Sequence, residues 1–347
     1  MTVLLLIKRF DFGGAENHVR DLANNLSKRG HNVILVGVKG RQEKELLPEV
    51  KYIKLKLRDV LLPIHIAVIS FLILYYKVNV IHSHQRLAIL IGCLAGFLTC
   101  RRVISTVHGR SKYDLKHIMS RRLTNKIIFV SKTVLKQASK RYNLNQKAVF
   151  IPNGVKTSQI RVSPKPYRIC YVSKINSKHF DFLKLLMTSV LTVLKQKYPD
   201  LEFWVVGDGK KANELRELAD SLNSKFSSIF CTVIGYKPSV QSYYQDASLV
   251  IGVGRAAIEA SAAGLPVLSA NHNRVGGIVT TENYETFKYN NFIDVSASAP
   301  STDKLKNNIE EFFSYQSEWQ KESRLLANQI QKDFSLDKIV EKTVSLY

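Results

Sequence analysis

The chain has 347 residues, 45% hydrophobic and 23% charged, a globular balance that excludes wholesale disorder, collagen and coiled coil and leaves room for two domains. Four cysteines, Cys93, Cys100, Cys170 and Cys231, stand far apart with no Cys-x-x-Cys pair, which excludes a disulfide scaffold and a zinc ribbon and fits a reducing cytoplasm. The 51 Lys and Arg outnumber the 28 Asp and Glu unevenly: the first 160 residues hold 28 basic and 8 acidic side chains, the remainder 23 and 20.

The opening MTVLLLIKRFDFGG is too short an apolar run for a signal peptide, and no basic residue precedes it. Val3–Ile7 reads as a buried strand, followed by a glycine turn and a helix over Ala15–Arg29. Strands follow at Asn32–Val38, Val78–His82, Arg102–Val107, Lys126–Val130 and Val149–Ile151, with helical segments between, the rhythm of a parallel sheet covered on both faces. Val60–Tyr76 is the most apolar stretch. It carries Pro63 and His65 and falls short of the roughly 20 residues a span needs, so it reads as a packed helix or an interfacial one before a span. Leu87–Leu98 is rich in small residues and suits close packing on a sheet. PNGVKTSQIRVSPKPY reads as a linker. The rhythm then restarts with strands at Tyr167–Val172, Leu201–Val206, Ile229–Ile234, Ser248–Ile251 and Pro266–Ala270, and a helical tail from Thr302 to Tyr347. The expectation is two Rossmann-like halves in tandem, with ligands at the carboxyl ends of the strands.

Three turns carry chemistry. Gly13 and Gly14 follow the first strand, where glycine lets a ligand approach the backbone and a helix N-terminus offers amides to an anion, although a plain βα turn uses the same residues. Gly207-Asp208-Gly209 follows Leu201–Val206, but no full Gly-x-Gly-x-x-Gly and no acid at the usual distance complete a dinucleotide fingerprint, so a nicotinamide enzyme is disfavoured. Gly252-Val253-Gly254-Arg255 opens a helix of small residues, whose first amides suit a pyrophosphate. Glu259 lies one turn in. It reads either as an exposed helix acid or as the acceptor of two ribose hydroxyls. No Asp-x-Asp stands at a strand end, so no metal is expected.

The segments GGAENHV, VIHSHQ, STVHGR, FVSK, IPNGV, VVGDG, VIGY and GRAAIEASAAGLPVL occur in an order and spacing that resembles the glycosyltransferases of family 4, the retaining, glycogen-synthase-like group with the GT-B fold. The resemblance implies two Rossmann-like domains in tandem facing across a cleft: an acceptor-binding domain over 1–155, a nucleotide-sugar domain over 156–330, and a final helix over 331–347 packing back toward the first. It implies donor contacts at Gly13, Gly14, Gly207, Gly252, Gly254, Arg255 and Glu259. His108 matches the residue near the reacting sugar, and Lys174 and Lys178 match the cations that neutralise the leaving diphosphate. His82 and His84 read equally well as structural. The family's Glu–seven residues–Glu pattern is broken, with Ile251 standing where the first Glu belongs, and its Gly-Arg-Leu has become Ser173-Lys174-Ile175.

The implied activity is metal-independent transfer, with retention, from a UDP- or GDP-sugar to an anionic or lipid-linked acceptor, in bacterial surface polysaccharide assembly. No cofactor beyond that donor is expected. The alternative is a non-catalytic nucleotide- or sugar-binding partner protein, for which Ile251 argues. Between Val60 and Lys156 only Asp114 is acidic, against 16 Lys and Arg, and such a field implies an anionic partner. Arg101, Arg102, Arg110, Lys112, Lys116, Arg121 and Arg122 are the candidate contacts to acceptor phosphates or to an anionic membrane on the cytoplasmic side. Nucleic acid is disfavoured, because no basic helix shows a base-reading pattern.

Overall fold

The computed structural model describes residues 1–109, 115–156 and 163–347. In chain order the first elements are β1 (Thr2–Ile7), α1 (Gly14–Lys28), β2 (Asn32–Gly37), β3 (Lys51–Lys54), α2 (Leu62–Tyr75), β4 (Val80–His84), α3 (Arg86–Leu98), β5 (Arg102–Val107), α4 (Leu115–Leu123), β6 (Lys126–Phe129), α5 (Lys132–Ser139) and β7 (Ala148–Phe150). They continue with β8 (Arg168–Val172), α6 (Ser177–Leu185), α7 (Thr192–Lys197), β9 (Glu202–Val206), α8 (Ala212–Phe226), β10 (Cys231–Gly235), α9 (Gln241–Gln245), β11 (Leu249–Gly252), α10 (Gly254–Ala262), β12 (Val267–Ala270), β13 (Val275–Ile278), α11 (Tyr284–Lys288), α12 (Thr302–Ser314), α13 (Gln316–Phe334) and α14 (Leu336–Val344). Two compact units result: residues 1–154 with 336–347, and residues 155–335.

The first unit holds a seven-stranded parallel sheet in the order β3-β2-β1-β4-β5-β6-β7. Successive residues of a strand point to opposite faces. Leu4 and Leu6 of β1 meet Ile69, Ile73 and Ile91 of α2 and α3, whereas Val3, Leu5 and Ile7 meet Val19, Leu22 and Leu26 of α1 and Leu336 and Val340 of α14. A strand covered on both faces has no polar side, which is why β1 is continuously apolar. The backbone of α3 rests directly on the sheet. A Cβ on Gly92 would stand 2.1 Å from Ser83 Oγ, and one on Gly96 2.3 Å from Val103 Cγ2.

The second unit holds a six-stranded sheet in the order β10-β9-β8-β11-β12-β13, parallel except for β13. On one face Ile169, Tyr171, Phe203 and Ile251 pack with α6, α8 and α12; on the other Cys170, Val206, Val250 and Val267 pack with α10 and α13. Arg168 closes the amino edge of β8, its guanidinium paired with Glu202 (2.7 Å) and Asp246 (3.0 Å) and stacked 3.9 Å from the Trp204 ring.

Two strands depart from the sequence reading. β3 and β13 are both edge strands. The sequence pattern predicts no strand over Val275–Ile278, which pairs antiparallel with β12. Val60–Tyr76 forms a short 3-10 turn and the 14-residue α2, and among the described residues no helix is long and apolar enough to cross a membrane.

The α3 contact supplies a stability test. Gly96→Val should lower the thermal midpoint, at an overpacking cost of about 1–3 kcal/mol. Gly14→Ala, where a Cβ meets nothing within 4 Å, should leave it unchanged or slightly raised. Equal midpoints for Gly96→Val and the parent would show that α3 can lift from β5 without cost.

Candidate functional site

In each sheet the chain leaves two adjacent strands in opposite directions, between β1 and β4 in the first unit and between β8 and β11 in the second. Open α/β sheets bind ligands outside the carboxyl ends of such strands.

In the first unit Gly13 and Gly14 follow β1, Gln85 follows β4 and His108 follows β5. Gln85 ties these loops together. Its Oε1 accepts from the Arg9 amide at 2.9 Å, and its Nε2 donates to Glu16 Oε1 at 3.1 Å. The Glu16 carboxylate folds back over the N-terminus of α1: Gly13 adopts φ 148°, and a Cβ there would meet Glu16 Oε2 at 2.7 Å. A cavity of about 670 Å³ opens at this edge, lined on its basic side by Lys8, Arg9, Arg86 and Arg121, with Glu16, Asp59 and His108.

Four imidazoles gather beside it. On β4, Val80, His82 and His84 share one face and Ile81 and Ser83 the other, so both histidines point to the α1 side. His82 is fully satisfied, Nε2 to Thr106 Oγ1 and Nδ1 to Tyr347 Oη, each at 2.8 Å. His84 Nδ1 lies 3.2 Å from His108 Nε2, and the His18 ring stands 5.6 and 5.0 Å from theirs. Burial, with a smaller contribution from the neighbouring rings, holds His84 and His108 well below the ordinary histidine value and brings His82 to about 3. All three are therefore neutral at pH 7.

Among the described residues, His18, His84 and His108 are the one group of His, Cys, Asp or Glu whose ligand atoms lie within 4.8 Å of one another. A metal-bound imidazole donates its other N–H to an acceptor. His84 Nε2 and His108 Nδ1 are buried with no such partner among the described residues. Among the described residues, His84 and His108 therefore lack the outer shell of a metal centre, and the hydrogen bond they share accounts for their closeness.

In the second unit the loops after β8 and β9 touch backbone to backbone. Gly207 has φ 153°, and a Cβ on it would come within 1.8 Å of the Ser173 carbonyl oxygen. The Ile175 amide donates to the Asp208 carbonyl at 3.0 Å, locking the loop that carries Lys174. Asn176 caps α6 by accepting from the His179 amide at 3.2 Å. That cap places Lys178 and His179 at the same edge. His179 Nδ1 lies 2.8 Å from Tyr171 Oη and 3.0 Å from Ser173 Oγ, and its ring 5.3 Å from His272 after β12. Burial first, then His272, lowers His179 to about 4; burial and then the charge of the Lys178 ammonium lower His272.

Gly252 ends β11 and Gly254 begins α10. The Gly254 amide donates to the Asn291 carbonyl at 2.8 Å, so the first amide of α10 is used within the fold. Arg255 is buried and its Nε donates to Glu259 Oε1 at 2.7 Å, leaving Glu259 half-buried. Ile251 is fully buried in the core with Ile169 and Tyr171.

The basic residues divide. Arg101 and Arg102 are exposed after α3, Arg102 donating to the Leu346 carbonyl at 3.0 Å. Arg121 lines the cavity, its guanidinium 3.8 Å over the Tyr142 ring, while Arg122 is exposed. Arg110 and Lys112 lie outside the described residues, as does the side chain of Lys116 in α4. His18, His179 and His272 went unnoticed in the sequence, where a single histidine carries no pattern. The i, i+4 spacing of Arg255 and Glu259 was the signal for their ion pair.

Comparison with known proteins agrees with this architecture. Residues 12–159 match the model of Glycosyltransferase Family 4, and residues 166–295 that of Glycosyl transferases group 1. A glycosyltransferase from Rickettsia africae superposes with TM-score 0.78 at 20% identity, covering 100% of this chain and 97% of that one. Anabaena HepE in complex with UDP-glucose superposes with TM-score 0.76 at 16% identity, with both chains fully covered. A human subunit of phosphatidylinositol N-acetylglucosaminyltransferase is 26% identical over 305 residues, 77% of this chain, and the chain spans 60% of that relative's length. The chain belongs to the family-4-like glycosyltransferases of the GT-B fold.

The buried imidazoles set a pH dependence. The unfolded chain takes up protons near 6.5, the folded one only far below, so stability is complete above about 6.5 and falls as pH drops toward 3. Each such ring contributes a slope of up to about 1.4 kcal/mol per pH unit. His82→Asn should flatten the loss of thermal midpoint between about pH 7 and pH 5, as read by calorimetry. An unchanged slope would remove His82 from the account.

Proposed function

We propose that the chain transfers a sugar from a nucleotide-diphosphate sugar to an acceptor hydroxyl, without a metal and with retention at the anomeric carbon. The observation that carries this reading is the Arg255–Glu259 pair at the start of α10, beside the switch point between β8 and β11. Arg255 holds one carboxylate oxygen, which turns the other toward the ribose hydroxyls. Gly207, Gly252 and Gly254 keep side chains off the path of the diphosphate.

Lys174 and Lys178 neutralise the charge that grows on the departing diphosphate. The bond between the anomeric carbon and the phosphate oxygen breaks with its electron pair leaving on the diphosphate. The acceptor oxygen then bonds to the oxocarbenium-like carbon, and its proton passes to an oxygen of the departing diphosphate. UDP is favoured over GDP because a neighbour of the same fold is seen with UDP-glucose. A lipid-linked acceptor is favoured by the basic cavity of the first unit, which suits phosphate groups, and by the human relative, whose name couples N-acetylglucosamine to a phosphoinositide lipid. The setting that joins these features is assembly of a bacterial surface polysaccharide, by an enzyme peripheral to the inner face of the cell membrane.

One observation favours a second reading. Ile251, where the family has a sugar-binding Glu, is fully buried and offers no polar group to a donor. A chain that binds nucleotide or sugar without transferring it would tolerate this.

Glu259→Gln should weaken UDP binding by about tenfold, the order of one charge-assisted hydrogen bond, with the thermal midpoint of the free protein little changed. Calorimetric titration checks this, and equal affinity would dismiss the ribose contact. The double variant Lys174→Ala, Lys178→Ala should turn over a UDP-sugar at least about a hundredfold more slowly, as for loss of a leaving-group contact. Wild-type turnover in that variant would sink their role. Nucleotide binding with no turnover of any donor in the parent protein would leave the non-catalytic reading.

A further inference from the structure

Helix α2 is apolar all round, a composition that globular proteins reserve for helices enclosed on every side. Here only one side is enclosed. His65, Ile69 and Ile73 face the sheet, while Ile64, Ala67, Phe71, Leu74 and Tyr75 recur at three- and four-residue steps along the opposite side and are exposed. Phe71 is 62% exposed, Leu74 59% and Tyr75 66%, and Phe71 stacks on Tyr75 with centroids 5.7 Å apart, so the stripe is continuous. Val60, 84% exposed, extends it at the amino end.

The neighbouring helix continues the surface. α2 leads into β4 and α3 into β5, adjacent parallel strands, so the two helices run side by side and end at the same edge of the sheet. Phe97 and Leu98 at the tip of α3 are 66% and 65% exposed. Exposed cations frame these tips: Lys77 after α2, Arg101 and Arg102 after α3. No acidic residue occurs from Val60 to Gly109. At its other end α2 begins beside Asp59, which lines the cavity and pairs with Lys8 at 3.5 Å.

We infer that the exposed face of α2 and the tip of α3 form a docking surface for an anionic lipid bilayer. The inference rests on the lipid-linked acceptor reading and gives it a geometry. A bilayer is the occupant that matches both halves of the surface: the stripe enters the acyl boundary, and Lys77, Arg101 and Arg102 meet phosphate headgroups. Tyr75 is an aromatic type that settles at that depth, and Phe71 is of the kind found on the apolar face of an interfacial helix. A stripe that starts at the cavity rim lets a lipid-anchored acceptor keep its chain in the bilayer while its polar head reaches Lys8, Arg9 and Arg86. Arg121, which lines the cavity, belongs to that head group and not to the membrane face.

Flotation of the full chain with phosphatidylcholine vesicles, with and without phosphatidylglycerol, tests this. The parent should float only with the anionic vesicles and be released as salt rises past physiological strength, where the screening length falls below about 8 Å. The double variant Phe71→Asp, Leu74→Asp should bind them at least about tenfold more weakly. So should the triple variant Lys77→Glu, Arg101→Glu, Arg102→Glu. Both alter exposed side chains, so their thermal midpoints should match the parent. Hydrolysis of a soluble UDP-sugar should be unchanged in both.

No flotation of the parent with either vesicle, with UDP-sugar turnover intact, overturns the docking surface and leaves the transferase reading standing. Flotation by the parent that both variants retain also overturns it. A concentration-dependent dimer of the parent in sedimentation velocity, dissolved by Phe71→Asp, Leu74→Asp, gives the stripe to a second copy of the chain and overturns the bilayer. Flotation as described, with no UDP-sugar turnover, supports the docking surface and removes the transferase reading instead.

Discussion

Parallel strands cannot be joined by tight turns, so each successive parallel pair in both units is linked through a longer crossover, and the helices of those crossovers cover both faces of the sheets. This constraint decides where chemistry can occur. Faces buried by Leu4, Leu6, Ile169 and Tyr171 admit nothing else. Polar groups collect at the carboxyl edges, where the loops leave the strands. Gly13, Gln85 and His108 in one unit, and Lys174, Gly207 and Gly254 in the other, stand there for the same topological reason. The loops are held by backbone contact: with the Gly207 Cβ position 1.8 Å from the Ser173 oxygen, no side chain can be inserted, and Lys174 inherits its place from that closeness.

The imidazoles of the first unit show what such an edge costs. A ring removed from water keeps its hydrogen-bonding groups but loses its ability to charge cheaply. His82 meets the cost with two partners, Thr106 and Tyr347. His84 and His108 share one contact and remain neutral. A neutral imidazole can donate a hydrogen bond through one ring nitrogen and accept one through the other without adding positive charge beside the basic cavity. Tyr347, near the end of α14, takes part in this packing, which ties the last residues of the chain to the sheet of the first unit.

The buried strands were legible because burial on both faces removes alternation, and β1, β5, β8 and β9 lie within a residue or so of the expected positions. β3 and β13 were not. Lys51–Lys54 carries two lysines in four residues, and Val275–Ile278 two glycines, because an edge strand has only one neighbour to satisfy. The glycine turns and the helix after Gly252 could be read from local order alone. The meeting of His18 with His84 and His108, or of His179 with His272, could not, because it joins residues from separate elements and leaves no periodic trace. Ile251 was legible as a departure from the family, but only burial shows that its side chain belongs to the core.

Helix α2 marks the limit of reading hydrophobicity from sequence. Its uniform apolarity is equally compatible with a core helix and an interfacial one, because periodicity is what tells the two sides apart and here there is none. The sheet resolves the ambiguity by geometry. A helix laid on a sheet buries one side, and the other must be covered by a neighbour or exposed. α3 covers part of α2, and the stripe from Ile64 to Tyr75 remains exposed. The large basic excess of the first 160 residues, only slight in the remainder, is concentrated in the same unit as that stripe. Charge and a continuous exposed apolar stripe thus occur together on one unit, whereas the second unit, whose excess charge is small, exposes large apolar side chains at positions far apart in the chain, such as Val193, Ile229 and Leu325.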